Sequence, residues 1–326
     1  MDFADLVPTV TRSRIAIFAA LIFAGSVGYA EEGGSGHYFQ GSMSSFVDGA
    51  PSAPTFITRF NYAVYDGQVD INREIPIAGL LAGNVDASST AIGLTVLWAP
   101  DWNLGEKWQY SMAVTIPWVD LEVAADVREP NGGPTISRGD RVKALGDIVF
   151  IPAMFNYNVN PDFNINMRVT FYVPTGDYEV GRLANTGKNF LTIEPTVGFM
   201  YLGQKNGREA SLFFGADFNQ KNDDTDYQSG TQIHFDGTLA QHLPLWGGLA
   251  GIGLSGYWYR QVTGDSGSGA NFGDFKAQAN GLGPVLSFAS NAGGNDVIAE
   301  LKWLKEFGNE NRLEGDTLWF KILGKF

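Results

Sequence analysis

Cysteine is missing from the chain, and positive charge is scarce. Without cysteine, disulfides and thiolate metal sites are excluded, a composition compatible with passage through an oxidising periplasm. The 326 residues carry 22 Lys and Arg against 35 Asp and Glu. The resulting net charge of -13 argues against nucleic-acid binding, which needs a basic face. An apolar fraction of 44% is too low for a bundle of membrane helices.

Long apolar runs are also rare, and the N-terminus holds a short one. Arg12 and Arg14 precede the apolar residues 15–24, and small residues then lead to Ala30. This order is typical of a secretory signal peptide, and the run is too short to span a bilayer easily as an anchoring helix. The sequence therefore predicts a signal peptide over 1–30, followed by an N-terminal segment over 31–53 and one larger domain over 54–326.

Glycine and aromatic residues are abundant instead. The chain has 41 glycines and 13% aromatic residues, which is typical of tight turns and aromatic-rich strands. In residues 163–173, large apolar side chains such as Phe163, Ile165 and Met167 alternate with polar ones. A period of two places successive side chains on opposite faces of a sheet, so this stretch predicts a β-strand.

Similar stretches recur along the chain, each followed by a cluster of Gly, Asn, Asp or Pro. The predicted strands are 55–66, 88–100, 108–124, 146–158, 162–174, 189–202, 209–220, 231–243, 249–262, 276–289, 296–307 and 314–326. Short turns between them alternate with longer polar loops. The predicted loops are 67–87, 125–145, 175–188, 221–230, 263–275 and 308–313.

This alternation of connections is typical of outer-membrane barrels, which have short periplasmic turns and long external loops. A soluble β-sandwich also has alternating strands, but it gives no reason for the alternation of loop lengths. The predicted fold class is all-β: a transmembrane antiparallel up-and-down β-barrel of about 12 strands. The predicted location is the outer membrane of a Gram-negative bacterium.

The apolar side of each strand is expected to face lipid and lipopolysaccharide, with tryptophans forming girdles at the membrane interfaces. The candidate girdle residues are Trp98, Trp108, Trp118, Trp258, Trp303 and Trp319. The last strand ends at Phe326, which shares its side with Leu318 and Ile322. That pattern is expected of the signal read by the barrel assembly machinery, and it places Lys321 on the opposite, lumen side.

Charged residues of both signs occupy the lumen side of the strands. They are Arg59, Arg168, Glu194, Asp217, Asp236, Glu300, Lys302 and Lys321. Charges inside a membrane span are costly unless paired or wet, so we expect an interior network of ion pairs. Such a network either braces the barrel or shapes a narrow solute path. The candidate path residues are Arg168, Glu194, Asp217, His234, Asp236 and Tyr257 in the lumen, with Arg182 and Lys188 at the external mouth.

The N-terminal segment 31–53 is rich in Gly and Ser, with an aromatic group at His37, Tyr38 and Phe39. It is either a flexible tail or a plug inside the lumen. A freely solvated tail would not need these aromatic side chains, and this favours a plug.

Several motifs suggest chemistry, but their contexts disfavour it. Residues 251–256 match GxGxxG but lead into a strand, whereas a dinucleotide site needs a following helix. Residues 264–267 resemble a serine-protease nucleophile loop but lie in a Gly/Ser-rich external loop, and 223–226 resemble part of a calcium loop without its glycine. Asp236 stands where outer-membrane phospholipases carry serine after a histidine such as His234. We predict no catalytic residue, metal site or cofactor.

Several longer stretches carry a resemblance to a known family. They are 34–38, 146–152, 173–178, 182–189, 194–198, 226–230, 261–267 and 311–316. Through them the chain resembles the outer-membrane proteins associated with the meta-cleavage pathway of phenol degradation, over nearly the whole mature chain. The resemblance implies uptake of aromatic or otherwise hydrophobic compounds and carries over no catalytic residue.

The leading hypothesis is a channel for facilitated diffusion of small hydrophobic or aromatic compounds. One alternative is a non-transporting surface barrel whose acidic external loops bind divalent ions or a partner. Another is an outer-membrane hydrolase, which requires a serine beside His234 or His242 in the folded barrel.

Overall fold

The computed structural model describes residues 34–69, 74–128, 133–270, 276–292 and 295–326. The predicted signal peptide 1–30 lies outside these ranges. Within them, no helix is long and apolar enough to cross a membrane. A short 3-10 helix, Phe46–Asp48, lies in the N-terminal segment and begins after Ser45, whose hydroxyl accepts a hydrogen bond from the backbone of Val47.

Fourteen strands follow in the described chain. They are β1 (Thr55–Gln68), β2 (Glu74–Ile77), β3 (Leu80–Ala99), β4 (Trp108–Arg128), β5 (Ile136–Leu145), β6 (Ile148–Asn160), β7 (Phe163–Val173), β8 (Thr192–Leu202), β9 (Arg208–Asn219), β10 (Gln232–Leu245), β11 (Gly248–Gln261), β12 (Gln278–Ala292), β13 (Asn295–Glu306) and β14 (Glu314–Lys325).

The sheet closes on itself. Strand β1 pairs with both β14 and β3, β3 pairs with β4, β4 pairs with β6, and each later strand pairs with the next. The hairpin partners β2 and β5 lie outside this ring, which leaves a closed antiparallel barrel of twelve strands. The predicted fold class is therefore confirmed. Closure pairs the backbone groups of every ring strand on both sides, as a hydrocarbon environment requires.

The predicted loops 67–87 and 125–145 are in part wrong, because they contain β2, β5 and the outer ends of β3 and β4. Strand β5 pairs with β4 from Trp118↔Leu145 to Val127↔Ile136. Its side chains are mostly charged or exposed, since this hairpin continues beyond the ring. A strand that does not cross lipid needs no apolar side, so the period-two signal used for prediction is absent there.

The outward side of the ring is apolar. Among its exposed side chains are Leu94, Ile116, Leu254, Leu282 and Leu286. Four of the predicted girdle tryptophans, Trp98, Trp108, Trp118 and Trp303, are exposed. The prediction for Trp319 is wrong: it is buried in the lumen and donates a hydrogen bond from Nε1 to the backbone oxygen of Gln40 at 3.1 Å. Its neighbours Leu318 and Phe320 take the outward side.

The chain enters β1 and leaves β14 at the same end of the barrel. The backbone N–H of Phe326 donates to the carbonyl of Phe56 at 2.8 Å, and Phe56 donates back at 3.2 Å. The tight turn between β10 and β11, at Trp246 and Gly247, lies at this end too. Short turns mark the periplasmic side of such barrels, so the opposite end is external.

Candidate solute path

The described part of the N-terminal segment, residues 34–53, runs inside the ring from one end to the other. At the external end, Nζ of Lys188 donates to the hydroxyl of Ser35 at 2.8 Å. At the periplasmic end, Nδ2 of Asn158 donates to the carbonyl of Ser52 at 3.2 Å. The chain then turns into β1 and leaves the lumen.

The aromatic group of the segment is fully engaged. His37 places Nε2 at 2.8 Å from Asp147 and Nδ1 at 2.7 Å from Thr192. Tyr38 is buried, donates its hydroxyl hydrogen to Asp236 and stacks on the His234 ring with centroids 3.8 Å apart. Phe39 meets the face of Trp319 at 4.8 Å. The structure thus places all three predicted plug residues in the lumen.

A glycine lets the segment lie close to the barrel wall. Gly41 has φ +70, and a Cβ built there would lie 2.3 Å from Cδ1 of Leu304. Nζ of Lys302 donates to the carbonyl of Gly41 at 2.7 Å. A larger residue would strain the backbone and push the segment away from this lysine.

Charged groups hold the periplasmic half of the segment. Oδ1 of Asp48 lies 2.6 Å from Nζ of Lys321 and 3.2 Å from Nη1 of Arg59. Arg168 donates to the carbonyl of Asp48 at 2.7 Å and to Oδ1 of Asn166 at 2.8 Å. Nζ of Lys321 also lies 3.5 Å from Oε1 of Glu300. The mixed charges predicted for the lumen therefore pair with the segment as well as with one another.

A second group of predicted residues lies across three neighbouring strands. Glu194 on β8, Asp217 on β9 and His234 and Asp236 on β10 are all fully buried. Nδ1 of His234 lies 2.9 Å from Oδ2 of Asp236, and its Nε2 lies 3.6 Å from Oε1 of Glu194. The N-terminal segment covers this group through Tyr38.

The predicted residue Tyr257 belongs to a third group, nearer the external end. Its hydroxyl donates to Glu306, which also accepts from the hydroxyl of Tyr65 at 3.0 Å and the backbone of Gly315 at 2.8 Å. This arrangement fixes Tyr257 against the barrel wall.

A cavity of about 370 Å³ remains between the segment and one wall of the ring. It extends from the external loops at Lys188 and Leu313 to Arg59 and Asp48. Among the predicted residues, Arg168, Lys188 and the three aromatic plug residues border it. In the described structure its lining does not include Glu194, Asp217, His234, Asp236, Tyr257 or Arg182. Four of these lie behind the segment, on the opposite wall.

The lining residues that prediction missed include small and apolar side chains as well as polar ones such as Asn61 and Asp147. Ala63 on β1 pairs with Ala91 on β3, which pairs with Val119 on β4, and all three border the cavity beside Ile151. The available signal was the run of small residues on the lumen side of β3, from Ala87 to Gly93. Small side chains on the inner face leave space where large ones would fill the lumen.

The external mouth is built around Asp147. Its carboxylate accepts hydrogen bonds from the backbone of Gly176 at 2.8 Å and of Lys188 at 2.7 Å, besides that from His37. Burial raises the pKa of Asp147, but these hydrogen bonds outweigh burial and hold the pKa below its ordinary value. Burial lowers the pKa of His37. Arg182 instead lies in the external loop, 2.9 Å from Asp177.

The carboxylates of the acidic external loop 221–230 form ion pairs and hydrogen bonds with neighbouring residues. Oδ1 of Asp226 lies 2.8 Å from Nζ of Lys221, and its Oδ2 accepts from Ser268. Asp224 accepts from Nδ2 of Asn189 at 2.9 Å. The hydrogen bond from Lys221 holds the pKa of Asp226 below its ordinary value.

The hydrolase hypothesis requires a serine beside His234 or His242, and the surroundings of His242 test it. Nε2 of His242 lies 2.9 Å from Glu209, and Gly251 and Ser287 occupy the same row on the next two strands. Ser287 therefore lies beside His242, with both side chains near Gly251, but no hydrogen bond joins them within the described residues. The edge of Phe46 covers the His242 ring at 5.2 Å.

The fold and the apolar outer side define the class as a Gram-negative outer-membrane β-barrel. The chain is similar to the crystal structure of an outer membrane channel from Pseudomonas putida F1, with a TM-score of 0.62 and 15% identity over 85% of this chain and 97% of that one. The β domain of the Bordetella autotransporter BrkA (TM-score 0.48, 10% identity, 84% and 99% covered) and a FadL homologue of Pseudomonas aeruginosa (0.39, 10%, 84% and 90%) are less similar.

The family follows from the sequence. Residues 66–322 match the family described as "Putative MetA-pathway of phenol degradation", so the chain belongs to that family. The resemblance drawn from the motifs is thereby confirmed. No curated relative matches the chain.

Proposed function

We propose that this protein is an outer-membrane channel through which small hydrophobic or aromatic solutes diffuse down their gradient, without catalysis and without a cofactor required for passage. The observation that carries the proposal is the cavity of about 370 Å³ beside the N-terminal segment. An apolar cavity of about 150 Å³ holds a benzene molecule. The space therefore suffices for one small aromatic solute.

The chemistry of the cavity walls supports this solute class. Ala63, Ala91, Val119 and Ile151 form an apolar wall, and Phe39 faces the same space from the segment. Sites for hydrophobic ligands are lined mainly by apolar and aromatic side chains, with a few polar groups that orient the ligand. The family description refers to phenol degradation, which also favours an aromatic solute.

The N-terminal segment narrows the route in this proposal. Lys302 and Lys321 hold its backbone at Gly41 and Ser42, so the segment forms one wall of the passage. Arg168 and Lys188 border the passage and present donors to a solute hydroxyl or carboxylate. His234 and Asp236 hold the segment through Tyr38 and Gly41, Glu194 and Asp217 lie beside them on β8 and β9, and Tyr257 braces the wall.

The apolar outer surface supports the following proposed partners of the barrel. The outer apolar side contacts lipid, with lipopolysaccharide in the external leaflet. The terminal strand ending at Phe326 is the part that the barrel assembly machinery recognises. The side chain of Phe326 is 62% exposed, so it is available for such recognition.

The test fills the cavity without changing the barrel. Ala91→Phe places a ring in the passage, and Leu94→Phe places the same ring on the outward side of the same strand. Uptake of radiolabelled toluene is measured in cells that produce equal amounts of folded barrel. The proposal expects Ala91→Phe to lower uptake towards that of cells without the protein and Leu94→Phe to match the wild type. Equal uptake by Ala91→Phe and wild type would contradict it.

The two alternatives have less support. The acidic loop carboxylates already bind Lys221, Ser268 and Asn189, which leaves the loop without an open set of ligands for a divalent ion. A hydrolase needs its serine in hydrogen-bond reach of the base, and the Ser287–His242 pair lacks that bond in the described chain.

A further inference from the structure

We infer a binding site for one first-row divalent cation, such as Zn²⁺, inside the lumen, formed by Glu194, Asp217 and His234. One ligand atom from each residue lies within 4.8 Å of the other two. The three side chains come from the adjacent strands β8, β9 and β10, and each is fully buried. The site is independent of the proposed solute path, because none of the three borders the cavity.

The imidazole of His234 is oriented as a metal ligand. Its Nδ1 lies 2.9 Å from Oδ2 of Asp236, so the proton belongs on Nδ1 and the lone pair of Nε2 points the other way. Among the described residues, Nε2 is buried and has no hydrogen-bond partner. A metal-binding histidine usually donates its other ring N–H to a carboxylate, as His234 does to Asp236.

The charge balance also favours a cation. Three carboxylates, those of Glu194, Asp217 and Asp236, surround one imidazole in a buried space. Buried charges are costly unless they are paired or bind a metal. A divalent cation bound among these groups would interact favourably with all three carboxylates.

The spacing suits a small ion. Zinc–nitrogen and zinc–oxygen bonds of about 2.1 Å place tetrahedral ligands about 3.4 Å apart. The distance of 3.6 Å from Nε2 of His234 to Oε1 of Glu194 is close to that value. Thr196 donates to the same carboxylate at 2.7 Å and Tyr172 at 2.6 Å, which fixes its orientation.

A glycine keeps the site open. Gly215 stands opposite His234 on β9, and a Cβ there would lie 2.2 Å from Nε2. The ligand set also indicates the ion. One imidazole with two carboxylates suits Zn²⁺, Co²⁺ or Mn²⁺, whereas Ca²⁺ and Mg²⁺ prefer oxygen ligands alone.

The cation would also fasten the N-terminal segment. Tyr38 stacks on His234, and Asp236 accepts hydrogen bonds from both Tyr38 and the backbone of Gly41. Fixing His234 and Asp236 by the ion therefore fixes the platform on which the segment lies.

The test measures metal binding by the full-length folded barrel in detergent. The protein is stripped with a chelator and titrated with Co²⁺, and the d–d absorption of the bound ion is recorded together with its stoichiometry by elemental analysis. We expect one Co²⁺ per chain, displaced by Zn²⁺. His234→Gln should abolish binding, and Asp236→Asn should weaken it by about 10- to 100-fold.

The matched control is His242→Gln, which removes another buried histidine paired with a carboxylate, Glu209 at 2.9 Å. This variant should bind Co²⁺ like the wild type. Heat-modifiable gel mobility identifies the folded fraction, and Glu194→Gln serves as a second ligand variant if His234→Gln does not fold. Absence of stoichiometric binding by wild type, or equal loss in His242→Gln, would overturn the proposal.

Discussion

Nζ of Lys321 lies 2.6 Å from Oδ1 of Asp48, so the last strand of the barrel is joined directly to the N-terminal segment. Both side chains are buried, and Arg59 reaches the same carboxylate at 3.2 Å. This pair and the Lys302–Gly41 hydrogen bond hold the segment against β13 and β14, and the cavity lies beside the segment along β1, β3 and β4.

Breaking this pair should release the periplasmic half of the segment. Asp48→Asn removes the nearer of the two carboxylates that pair with buried Lys321 and leaves Glu300 at 3.5 Å, and breaking a buried pair costs up to about 3–5 kcal/mol. We expect a lower thermal unfolding temperature in detergent and faster proteolysis of residues 34–53. Glu122→Gln removes an exposed partner of Arg141 and should change stability by less than about 1 kcal/mol. Equal effects of the two substitutions would count against the described role of Asp48.

Alanine substitutions at two glycines with similar backbone angles distinguish backbone strain from crowding against a neighbouring side chain. Gly41 has φ +70 and faces Leu304, whereas Gly247 has φ +74 and nothing within 4 Å. Alanine costs more than about 1 kcal/mol at such angles, so Gly247→Ala reports backbone strain alone. Gly41→Ala should be more destabilising in urea unfolding and should raise the bilayer conductance. If the two variants are equally stable and have the same conductance, Gly41 is not needed for close packing of the segment against the barrel wall.

Acid should release the external half of the segment in two stages. Burial lowers the pKa of His37 below its ordinary 6.5, so its stabilising contribution is lost as the pH falls below 6.5. Hydrogen bonds outweigh burial in holding the pKa of Asp147 below 3.8, so that contribution is lost as the pH falls further, below 3.8. Bilayer conductance of the barrel, recorded from pH 6.5 downwards, measures both stages.

The variant His37→Gln isolates the first stage. It should remove the change that begins near pH 6.5 and retain the one at lower pH. A segment that is released as the pH rises, or an unchanged first stage in this variant, would contradict the roles given to His37 and Asp147.

Phe326 should matter for assembly more than for stability. Its backbone pairs with Phe56, while its side chain is exposed, so Phe326→Ala keeps the closing hydrogen bonds. We expect less folded barrel in cell outer membranes and a thermal stability of refolded protein within about 0.5 kcal/mol of wild type. Phe307→Ala, at another exposed aromatic residue, is the control and should assemble normally. Normal assembly of both variants would exclude a recognition role for Phe326.

The ring strands could be predicted because lipid imposes a period of two. That period placed His234 and Asp236 on the lumen side and Leu318 on the outward side, as observed. The amphipathic character of tryptophan does not by itself indicate the membrane interface, because Trp319 alternates with outward-facing Leu318 and therefore lies in the lumen. Strand β5 escaped prediction because its side chains do not cross lipid.

The contacts of the N-terminal segment could be predicted only in outline. Its aromatic residues indicated the lumen, but no local pattern relates Ser45 to Glu300 or Asp48 to Lys321, which are more than 250 residues apart. The position of the segment decides which lumen residues remain open. For that reason the charged residues chosen from sequence include several that the segment covers, while the small residues Ala63 and Ala91 border the cavity.

The proposed passage runs through this cavity, and because the chain has no cysteine, a cysteine introduced there can be labelled selectively. Ala91→Cys is reconstituted in planar bilayers, and its conductance is recorded before and after a charged methanethiosulfonate reagent is added. Asp101→Cys, in an exposed turn, is the control. We expect the reagent to lower the conductance of Ala91→Cys and to leave that of Asp101→Cys unchanged. Unchanged conductance after complete labelling of Ala91→Cys, verified by mass spectrometry, would contradict it.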